Sequence, residues 1–392
     1  MEVFQEADKV VVYLPKHIDS LNALNIEAEI VKAVLPFEGY NICLDATETN
    51  YIASSGLGML LRLEKKLKNK LSVRNVSPEV YETFSLTGFN EIMKIRKKER
   101  VISIEGCEVI GKGAYGTVYR LEQDSVVKVF NMGEESLPYI EQEQKTARKA
   151  FIKGIPTAMP FDVVKVGDQY GVVYETIDAH NFSELIIKDP SSLNKLIPLF
   201  VDFLHTIHKL EASKGEFPFA KENYLNRIDE LCELLGKDTV AKIRNLINSM
   251  PQDLHLVHGD SHFKNIMLSD NEVKVIDMDT LSMGDPVFEF APLYATYSIF
   301  YEIDPTNQTK FLGMDKNLAA SIFDQTIKTY LKDRPEVLDK ALMKIKLLGY
   351  LRYLIVAALE LKYDDAATKK RIEFAKSEIA DLVTKVSDLC ML

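Results

Sequence analysis

Carboxylates, a histidine and an asparagine lie close together in VHGDSHFKNIM at 257–267 and in VIDMD at 275–279. Asp260 and Asn265 are five residues apart, a spacing that lets one loop hold a base and a metal ligand around the same phosphate. Asp277 adds a carboxylate from the second segment. These residue types in this order indicate metal-assisted phosphoryl transfer.

The elements around these residues are expected to bring them together. The apolar run VKVI at 273–276 predicts a strand that delivers Asp277 to the same side as the loop. The sequence SDN at 269–271 predicts the turn that precedes this strand.

A second group of residues suited to phosphates lies upstream in VIGKGAYGTVYRL at 109–121. Gly111, Gly113 and Gly116 form a G-x-G-x-x-G pattern, and glycines let backbone amides approach phosphates closely. Dinucleotide-binding folds use the same spacing, but they place a helix directly after the glycines. Here TVYRL and SVVKVF, joined by EQD, predict two strands instead. The pattern therefore favours a hairpin that covers a nucleotide.

Together, the two segments resemble the aminoglycoside phosphotransferase and choline kinase group, which is related to the protein kinases. His-Gly-Asp at 258–260 and Asp-Met-Asp at 277–279 stand where protein kinases have H-R-D and D-F-G. The resemblance covers roughly residues 99–392 and implies a bilobal, protein-kinase-like α+β domain that uses ATP and Mg²⁺.

The same resemblance implies individual roles for residues of these segments. Asp260 would be the catalytic base, and Asn265 and Asp277 would hold magnesium. His262 also matches the family motif, in which it orders the loop.

In the kinase scheme, a lysine of the third strand holds the α- and β-phosphates, and Lys128 occupies that place. This lysine needs a carboxylate on the following helix, which the run at 137–153 predicts. Steps of four and seven from Glu143 reach alanines, whereas the same steps from Glu141 reach charged residues. Because a small apolar face suits packing on a sheet, we predict that Glu143 pairs with Lys128 and that Glu141 is a surface charge.

Two further segments are placed by the resemblance. The strand YGVVYET at 170–176 would lead into a hinge where backbone groups from Glu175 to Ile177 meet the adenine. Asp285, in MGDPVFEFA at 283–291, is expected to brace the catalytic loop by hydrogen bonds.

The acceptor is expected to be small. Protein kinases have an activation loop that ends in A-P-E and helps to dock a peptide, but Asp277 is followed by DTLSMGDP without that signature. Helices predicted from about 316 to 390 would wall the acceptor site instead, which favours a small hydroxylated molecule.

Residues 1–98 predict a separate domain. Apolar strands alternate with amphipathic helices, which indicates a small α/β sheet. A short charged connector within KIRKKERVISIEG, 94–106, marks the boundary. The predicted domains are therefore 1–98, a kinase N-lobe at 99–176 and a helical C-lobe at 177–392.

The segment LDATETNYIASSGLGMLL at 44–61 resembles the STAS domain of anti-sigma factor antagonists, which have a D-x-S-S-G-L-G turn at a helix start. In the regulatory members of that family a partner kinase phosphorylates the serine that corresponds to Ser55. Ala53 stands where the family often has aspartate. Ser54 and Ser55 are equally well explained as caps of the helix, whose N-terminus would also stabilise a phosphate.

Composition limits the remaining possibilities. The net charge of the 392 residues is -10, while residues up to 98 hold thirteen acids and thirteen bases, so the deficit lies in the kinase part. An acidic lobe argues against nucleic acid and is compatible with a cationic acceptor, although ordinary solubilising charge is the better explanation of the deficit. No signal peptide and no membrane-spanning run are apparent, so a cytoplasmic protein is expected.

Histidines and cysteines do not suggest another metal site. His205 and His208 are three residues apart in the predicted helix at 194–210, but no third ligand accompanies them, so core or surface positions are expected. The four cysteines are far apart in the sequence and are expected to be reduced thiols: Cys43, Cys107, Cys232 and Cys390.

The leading hypothesis is an ATP- and Mg²⁺-dependent phosphotransferase that acts on a hydroxyl of a small molecule, with a regulatory STAS domain that binds a protein partner. An alternative is a regulatory protein-serine kinase in a partner-switching system, with Ser55 or a partner STAS domain as its target. A nucleotide-sensing pseudokinase is ranked below both, because no catalytic position is missing.

Overall fold

The computed structural model describes residues 2–6, 9–37, 39–67, 71–113, 115–133, 136–269, 271–303, 311–360 and 365–391. Asp270 of the predicted SDN turn lies outside the described residues. The chain forms two compact units: the first comprises Met1–Ser103 with Val164–Gly167, and the second comprises Ile104–Val163 with Asp168–Leu392.

The first unit contains a five-stranded sheet of order β1-β2-β4-β6-β7, in which all pairs except β1 with β2 are parallel. Its elements are β1 Val3–Glu6, β2 Lys9–Tyr13, β3 His17–Ile18, α1 Ala23–Val34, β4 Asn41–Asp45, β5 Tyr51–Ile52, α2 Ser54–Lys66, β6 Leu71–Val76, α3 Pro78–Leu86, β7 Lys94–Lys97 and β8 Arg100–Val101. The predicted α/β architecture is confirmed.

Helix α2 packs tightly because one of its first residues is glycine. A Cβ added to Gly56 would lie 2.7 Å from the side chain of Ile52 and 2.8 Å from that of Ile18. Apolar residues of α2 such as Met59 and Leu63 are fully buried in the same core. The glycine therefore lets the start of the helix approach the paired strands β3 and β5.

The second unit begins with β9 Val109–Lys112, β10 Gly116–Glu122, β11 Ser125–Phe130, α4 Leu137–Ile152, β12 Pro160–Val166 and β13 Gln169–Glu175, although the last three residues of β12 are counted in the first unit. Its strands lie side by side in the order β12-β13-β11-β10-β9, and β9 with β10, β10 with β11 and β11 with β13 are antiparallel pairs. Lys128 pairs with Val118 on one side and with Val172 on the other, so it projects from a central strand. Phe130, Ile140 and Val172 form the small core between α4 and this sheet.

The rest of the second unit is mainly helical and surrounds a large apolar core. Its elements are β14 His180–Asn181, α5 Phe182–Lys188, α6 Leu193–His208, α7 Ala220–Ile228, α8 Cys232–Leu235, α9 Lys237–Ser249, β15 Leu256–Val257, β16 Ile266–Ser269, β17 Glu272–Val275, β18 Ser282–Met283, α10 Val287–Tyr294, α11 Phe300–Ile303, α12 Lys316–Tyr330, α13 Leu338–Leu354 and α14 Ala366–Lys385. Two π-helical turns, Ala295–Ile299 and Ile355–Glu360, follow α10 and α13.

Helix α13 is the central helix of this unit. Its buried residues are distributed around most of its circumference, as expected for a helix that packs against neighbours on several sides. Gly349 allows one close approach, since an added Cβ would lie 3.0 Å from the Ala291 carbonyl oxygen of α10. Within the described ranges, no helix combines the length and the apolar character needed to cross a membrane.

Candidate active site

Packing requires only one of the three glycines of the hairpin, because an added Cβ at the other two would make ordinary van der Waals contacts. A Cβ on Gly116 would lie 2.5 Å from the Val129 carbonyl oxygen, so only glycine fits there. A Cβ added to Gly111 or to Gly113 would lie 3.7 Å from its nearest neighbouring atom. The Gly113 N–H donates to the Gly116 carbonyl at 2.9 Å and closes the hairpin tip. Because Gly111 and Gly113 carry no side chain, the backbone of the hairpin can approach a phosphate-bearing ligand closely.

Lys128 connects the hairpin sheet to the metal-binding segment predicted from the sequence. Its Nζ lies 2.9 Å from Glu143 Oε1 and also contacts Asp277 Oδ1. Burial disfavours the charged ammonium, but the two carboxylates more than offset this effect and raise the pKa of Lys128. The side chain is therefore a fixed cation, and the two distant stretches of sequence converge on it.

Glu143 is buried and pairs with this lysine, whereas Glu141 is exposed. The side chain of Glu143 is 2% exposed, whereas Glu141 lies on the exposed face of α4. Tyr174 donates its hydroxyl hydrogen to Glu143 Oε1 at 3.3 Å. Burial raises the pKa of Glu143, while the ammonium of Lys128 opposes that rise. Its second oxygen, Oε2, is buried without a hydrogen-bond partner among the described residues.

Asp260 and Asn265 lie side by side in the loop after β15. The Asn265 side-chain amide donates to the Asp260 carbonyl at 3.0 Å and lies 3.4 Å from Asp260 Oδ2. His262 Nε2 lies 3.7 Å from the same carboxylate oxygen. The Ile276 N–H donates to the Asn265 carbonyl, which ties this loop to the residue before Asp277.

Asp277 has a backbone conformation that side chains rarely adopt. Its φ is 67°, in the left-handed region, and its side chain is 40% exposed. Left-handed non-glycine residues that the surrounding structure holds in place are concentrated at functional sites. The strand β17 and the turn Met278–Thr280 hold Asp277 from both sides.

The prediction that Asp285 braces the catalytic loop is wrong. Asp285 accepts hydrogen bonds from the N–H groups of Val287 and Met391, so it fixes the start of α10 and the end of the chain. Glu289 holds the loop instead. It accepts from the backbone N–H groups of His258 and Gly259 at 2.6 and 3.2 Å.

Glu289 is the main functional residue that the sequence prediction missed. It is fully buried, and the Ser261 hydroxyl also donates to it at 2.5 Å. Burial would raise its pKa, but His208, with Nε2 3.5 Å away, and the Ser261 hydroxyl lower the pKa of Glu289 to about 2. The available signal was a glutamate in the apolar stretch VFEFA, where an unpaired buried charge would be costly.

The two histidines of α6 pack against one tyrosine. His205 stacks on the Tyr330 ring with centroids 4.3 Å apart, and His208 Nδ1 lies 2.8 Å from the Tyr330 hydroxyl. Both therefore have positions in the packing of α6 against α12, and His208 in addition supports Glu289.

Asp279 is a second residue that the sequence prediction did not use. Tyr139 of α4 donates its hydroxyl to Asp279 Oδ2 at 3.2 Å, which links the helix of Glu143 to the turn after Asp277. Burial, together with the nearby carboxylates of Asp277 and Glu143, raises the pKa of Asp279 to about 7.

The hinge residues lie at the end of β13. The N–H groups of Glu175 and Thr176 donate to the carbonyls of Met159 and Asp124. Among the described residues, the peptide groups of Ile177 have no backbone partner. Within this described part of the chain, an N–H and a carbonyl without a backbone partner fit the expected contact with a base, which stays a prediction.

In the first unit, the two serines at the start of α2 differ in exposure. Ser54 is exposed, whereas Ser55 Oγ is buried and has no hydrogen-bond partner among the described residues. The residue that caps the helix is Ala53, without a side-chain hydrogen bond, so the capping role expected for the serines is wrong. Phosphorylation of Ser55 would require its hydroxyl to become exposed.

The donor set suits magnesium bound together with phosphates rather than a metal held by protein alone. In the part of the chain that the structure describes, no three or more His, Cys, Asp or Glu side chains are grouped to hold a metal. Asn265 and Asp277 offer two oxygen ligands, and Mg²⁺ is commonly held by one or two carboxylates plus substrate phosphates. The residues present therefore fit a magnesium nucleotide.

Comparison with known proteins identifies both units. A family model described as the phosphotransferase enzyme family matches residues 106–312, which is more than half of the chain. The chain belongs to this phosphotransferase family. A STAS domain model matches residues 1–101, so a STAS domain precedes the phosphotransferase part.

Individual relatives of the STAS domain and of the phosphotransferase part are distant. An anti-sigma-B factor antagonist of Listeria monocytogenes is 26% identical over 98 residues, which cover 24% of this chain and 85% of that protein. A structure of the aminoglycoside phosphotransferase APH(4)-Ia with AMP-PNP and hygromycin B shares the fold, with a TM-score of 0.50 and 12% identity. It aligns with 72% of this chain and 94% of its own. An ethanolamine kinase of Plasmodium vivax aligns with a TM-score of 0.46 and 14% identity, over 69% of this chain and 81% of that chain.

Proposed function

We propose that this member of the phosphotransferase family transfers the γ-phosphate of ATP to a hydroxyl of a small molecule in a magnesium-dependent reaction. The observation that carries the proposal is the position of Lys128, which contacts Glu143 and Asp277 at once. This pair of contacts joins the glycine-rich hairpin sheet to the acidic segment, as a kinase site requires.

Each binding role rests on a feature of the site. Lys128 would hold the α- and β-phosphates, because it is a fixed cation on the central strand beside the hairpin. Gly111, Gly113 and Gly116 would let the hairpin cover the phosphates, and the backbone from Glu175 to Ile177 would meet the adenine. The closed hairpin tip, with its hydrogen bond from the Gly113 N–H to the Gly116 carbonyl, supports the first of these roles.

Asn265 and Asp277 would hold Mg²⁺, which, when bound, neutralises charge on the phosphate oxygens. The hydrogen bond from Ile276 to Asn265 supports this pairing, since it fixes the two ligand segments against each other. Asp277 would have to exchange its contact with Lys128 in part for the metal.

Asp260 would orient the acceptor hydroxyl and accept its proton. The hydroxyl oxygen then forms a bond to the γ-phosphorus, and the bond from that phosphorus to the oxygen bridging the β- and γ-phosphates breaks, which leaves ADP. The amide of Asn265 and the nearby ring of His262 support this role, because they restrict the orientation of the carboxylate.

The acceptor class is proposed by similarity and by the sequence after Asp277. APH(4)-Ia has been crystallised with hygromycin B, a small molecule, together with a nucleotide analogue. The segment that follows Asp277 passes through β18 directly into α10, without the A-P-E signature of peptide-directed kinases. A small hydroxylated acceptor is consistent with both observations.

The Asp260→Ala variant tests the central role assignment. Loss of a general base is expected to reduce turnover on the order of 10²- to 10⁴-fold, while binding of magnesium nucleotide stays nearly unchanged. ADP release measured with a panel of aminoglycosides and amino alcohols, together with nucleotide binding by calorimetry, would show both effects. Asp324→Asn, on the exposed surface of α12, is the matched control. Turnover of Asp260→Ala at the wild-type rate would refute the assignment.

A further inference from the structure

A single continuous helical segment, formed by α10 and the π-helical turn after it, binds the loop of Asp260 on both sides of that residue. Glu289 of α10 accepts from the backbone of His258 and Gly259 on the side before Asp260. On the other side, the Phe263 N–H donates to the hydroxyl of Tyr297 at 2.9 Å. Glu289 and Tyr297 are eight residues apart in the continuous run of α10 and the π-helical turn that follows it.

The π-helical turn explains how both residues face the loop. In a regular α-helix, eight residues rotate through about 800°, which would leave Tyr297 about 80° away from the face of Glu289. A π-helical turn contains one extra residue and so rotates the following side chains back. Because Tyr297 lies in the turn Ala295–Ile299, it returns toward the side of Glu289. Turns of this kind are frequent at functional sites.

Tyr297 accepts a hydrogen bond from a buried peptide N–H that water cannot reach. Phe263 is fully buried, and its ring makes T-shaped contacts with Phe182, Phe200 and Tyr297 at centroid distances of 5.3, 5.2 and 5.9 Å. An N–H in such apolar surroundings needs a protein partner, because water does not reach it. The hydroxyl of Tyr297 is that partner.

The position of this peptide group matters for the site. Phe263 lies between the proposed base Asp260 and the proposed metal ligand Asn265. The Asn265 N–H donates to the His262 carbonyl at 2.7 Å, in the same peptide unit whose N–H is held by Tyr297. Any rotation of that peptide unit therefore shifts Asn265 relative to Asp260.

We propose that Tyr297 is a positioning residue, whose hydroxyl fixes the Phe263 peptide and thereby the placement of Asn265 beside Asp260. The inference rests on the proposed phosphotransfer. Burial, with the charge of Asp260 acting in the same direction, raises the pKa of Tyr297, so its hydroxyl stays neutral and keeps this hydrogen bond over the working pH range.

Tyr297→Phe tests the proposal, and Tyr301→Phe is its matched control. Tyr301 is also buried and lies four residues after Tyr297, in α11, which directly follows the π-helical turn. Its hydroxyl donates to the Met314 carbonyl at 2.9 Å and not to the loop of Asp260. The full chain would be assayed for ADP release from ATP, with water as the acceptor. We expect kcat of Tyr297→Phe to fall on the order of 10- to 100-fold, and binding of magnesium ATP to weaken, because Asn265 is a proposed ligand of the metal. The control should keep kcat, while both variants lower the melting temperature similarly.

The outcome that overturns the proposal is a kcat of Tyr297→Phe equal to that of Tyr301→Phe. If the wild-type chain releases no ADP either with water or with any molecule of the acceptor panel, the proposed function fails separately, and amide hydrogen exchange at Phe263 decides about Tyr297. Faster exchange in Tyr297→Phe alone supports the positioning role, and exchange equal to that of the control overturns it.

Discussion

Single side chains in this site acquire their properties from burial next to opposite charges. Lys128 stays charged because two carboxylates compensate for its burial, and Glu289 stays ionised because His208, Ser261 and two backbone N–H groups surround it. The pKa of a carboxyl group held in this way differs between the folded and the unfolded protein, so its contribution to the free energy of unfolding depends on pH.

At this scale, Glu289→Gln should change the pH dependence of unfolding. The folded pKa of about 2 lies below the ordinary value of 4.5, so the carboxylate stabilises the fold above that value and loses its contribution as the pH falls. The full contribution corresponds to about 3 kcal/mol. The difference in the free energy of unfolding between wild type and variant should narrow as the pH falls from about 5 to 3 in urea titrations.

Asp285→Asn is the control for this experiment, because the pKa of Asp285 is shifted in the opposite direction from that of Glu289. Burial raises the pKa of Asp285, so its ionisation weakens the fold as the pH rises through that raised value. The free energy of unfolding of Asp285→Asn, compared with that of wild type, should therefore increase as the pH rises. Parallel curves for wild type and Glu289→Gln would contradict the role of a buried, ionised Glu289.

At the scale of elements, close packing decides which substitutions a helix or hairpin accepts. Glycines in α2 illustrate this point, because two of them, two residues apart, have different surroundings. An added Cβ on Gly56 would overlap with Ile18 and Ile52, whereas one on Gly58 would meet only the flexible end of Arg62 at 3.3 Å.

Gly56→Ala and Gly58→Ala should therefore change stability in opposite directions. Overpacking at Gly56 is expected to destabilise the STAS domain by about 1–3 kcal/mol. At Gly58, alanine is expected to stabilise α2 by about 0.5–1 kcal/mol, because it restricts the unfolded chain and favours the helix. Urea unfolding of the full chain followed by circular dichroism would measure both. A stabilising Gly56→Ala variant would refute the packing derived for the start of α2.

At the scale of the whole molecule, the chain combines two folds with separate cores and separate chemistry. The STAS domain has a serine at the position that matches the phosphorylated residue of anti-sigma factor antagonists, but its hydroxyl is buried. The adjacent Ser54 is exposed at the first turn of α2. The regulatory hypothesis that targets Ser55 therefore requires this buried hydroxyl to become exposed.

Incubation of the full chain with magnesium ATP should leave Ser55 unmodified, because its hydroxyl is inaccessible in the folded domain. Intact-mass and peptide mass spectrometry would detect the addition of a phosphate. Ser54→Ala and Ser55→Ala form a matched pair that locates any phosphate gained on this turn. A single phosphate that disappears in Ser55→Ala alone would contradict this expectation and support the regulatory hypothesis.

Much of the fold was predictable from local sequence. Alternating apolar strands and amphipathic helices predicted the α/β architecture of the first unit, and the family resemblance, which the family models confirm, rests on short motifs. The choice of Glu143 over Glu141 shows how far periodicity extends, since only Glu143 lies on the face of α4 that packs against the sheet. Local sequence did not predict the partners of Asp285, because one of its two hydrogen bonds comes from Met391, about a hundred residues away in the sequence.

The sequence by itself determined the two folds and the family and supplied the set of residues that we propose for phosphoryl transfer, because these depend on local patterns and motif spacing. Only the tertiary structure decided which buried groups hold that set in place. Glu289 and Tyr297 reach the catalytic loop from about thirty residues away, and a π-helical turn sets their relative direction. Contacts of this kind depend on the rotation of one element against another, which no local pattern of residues encodes.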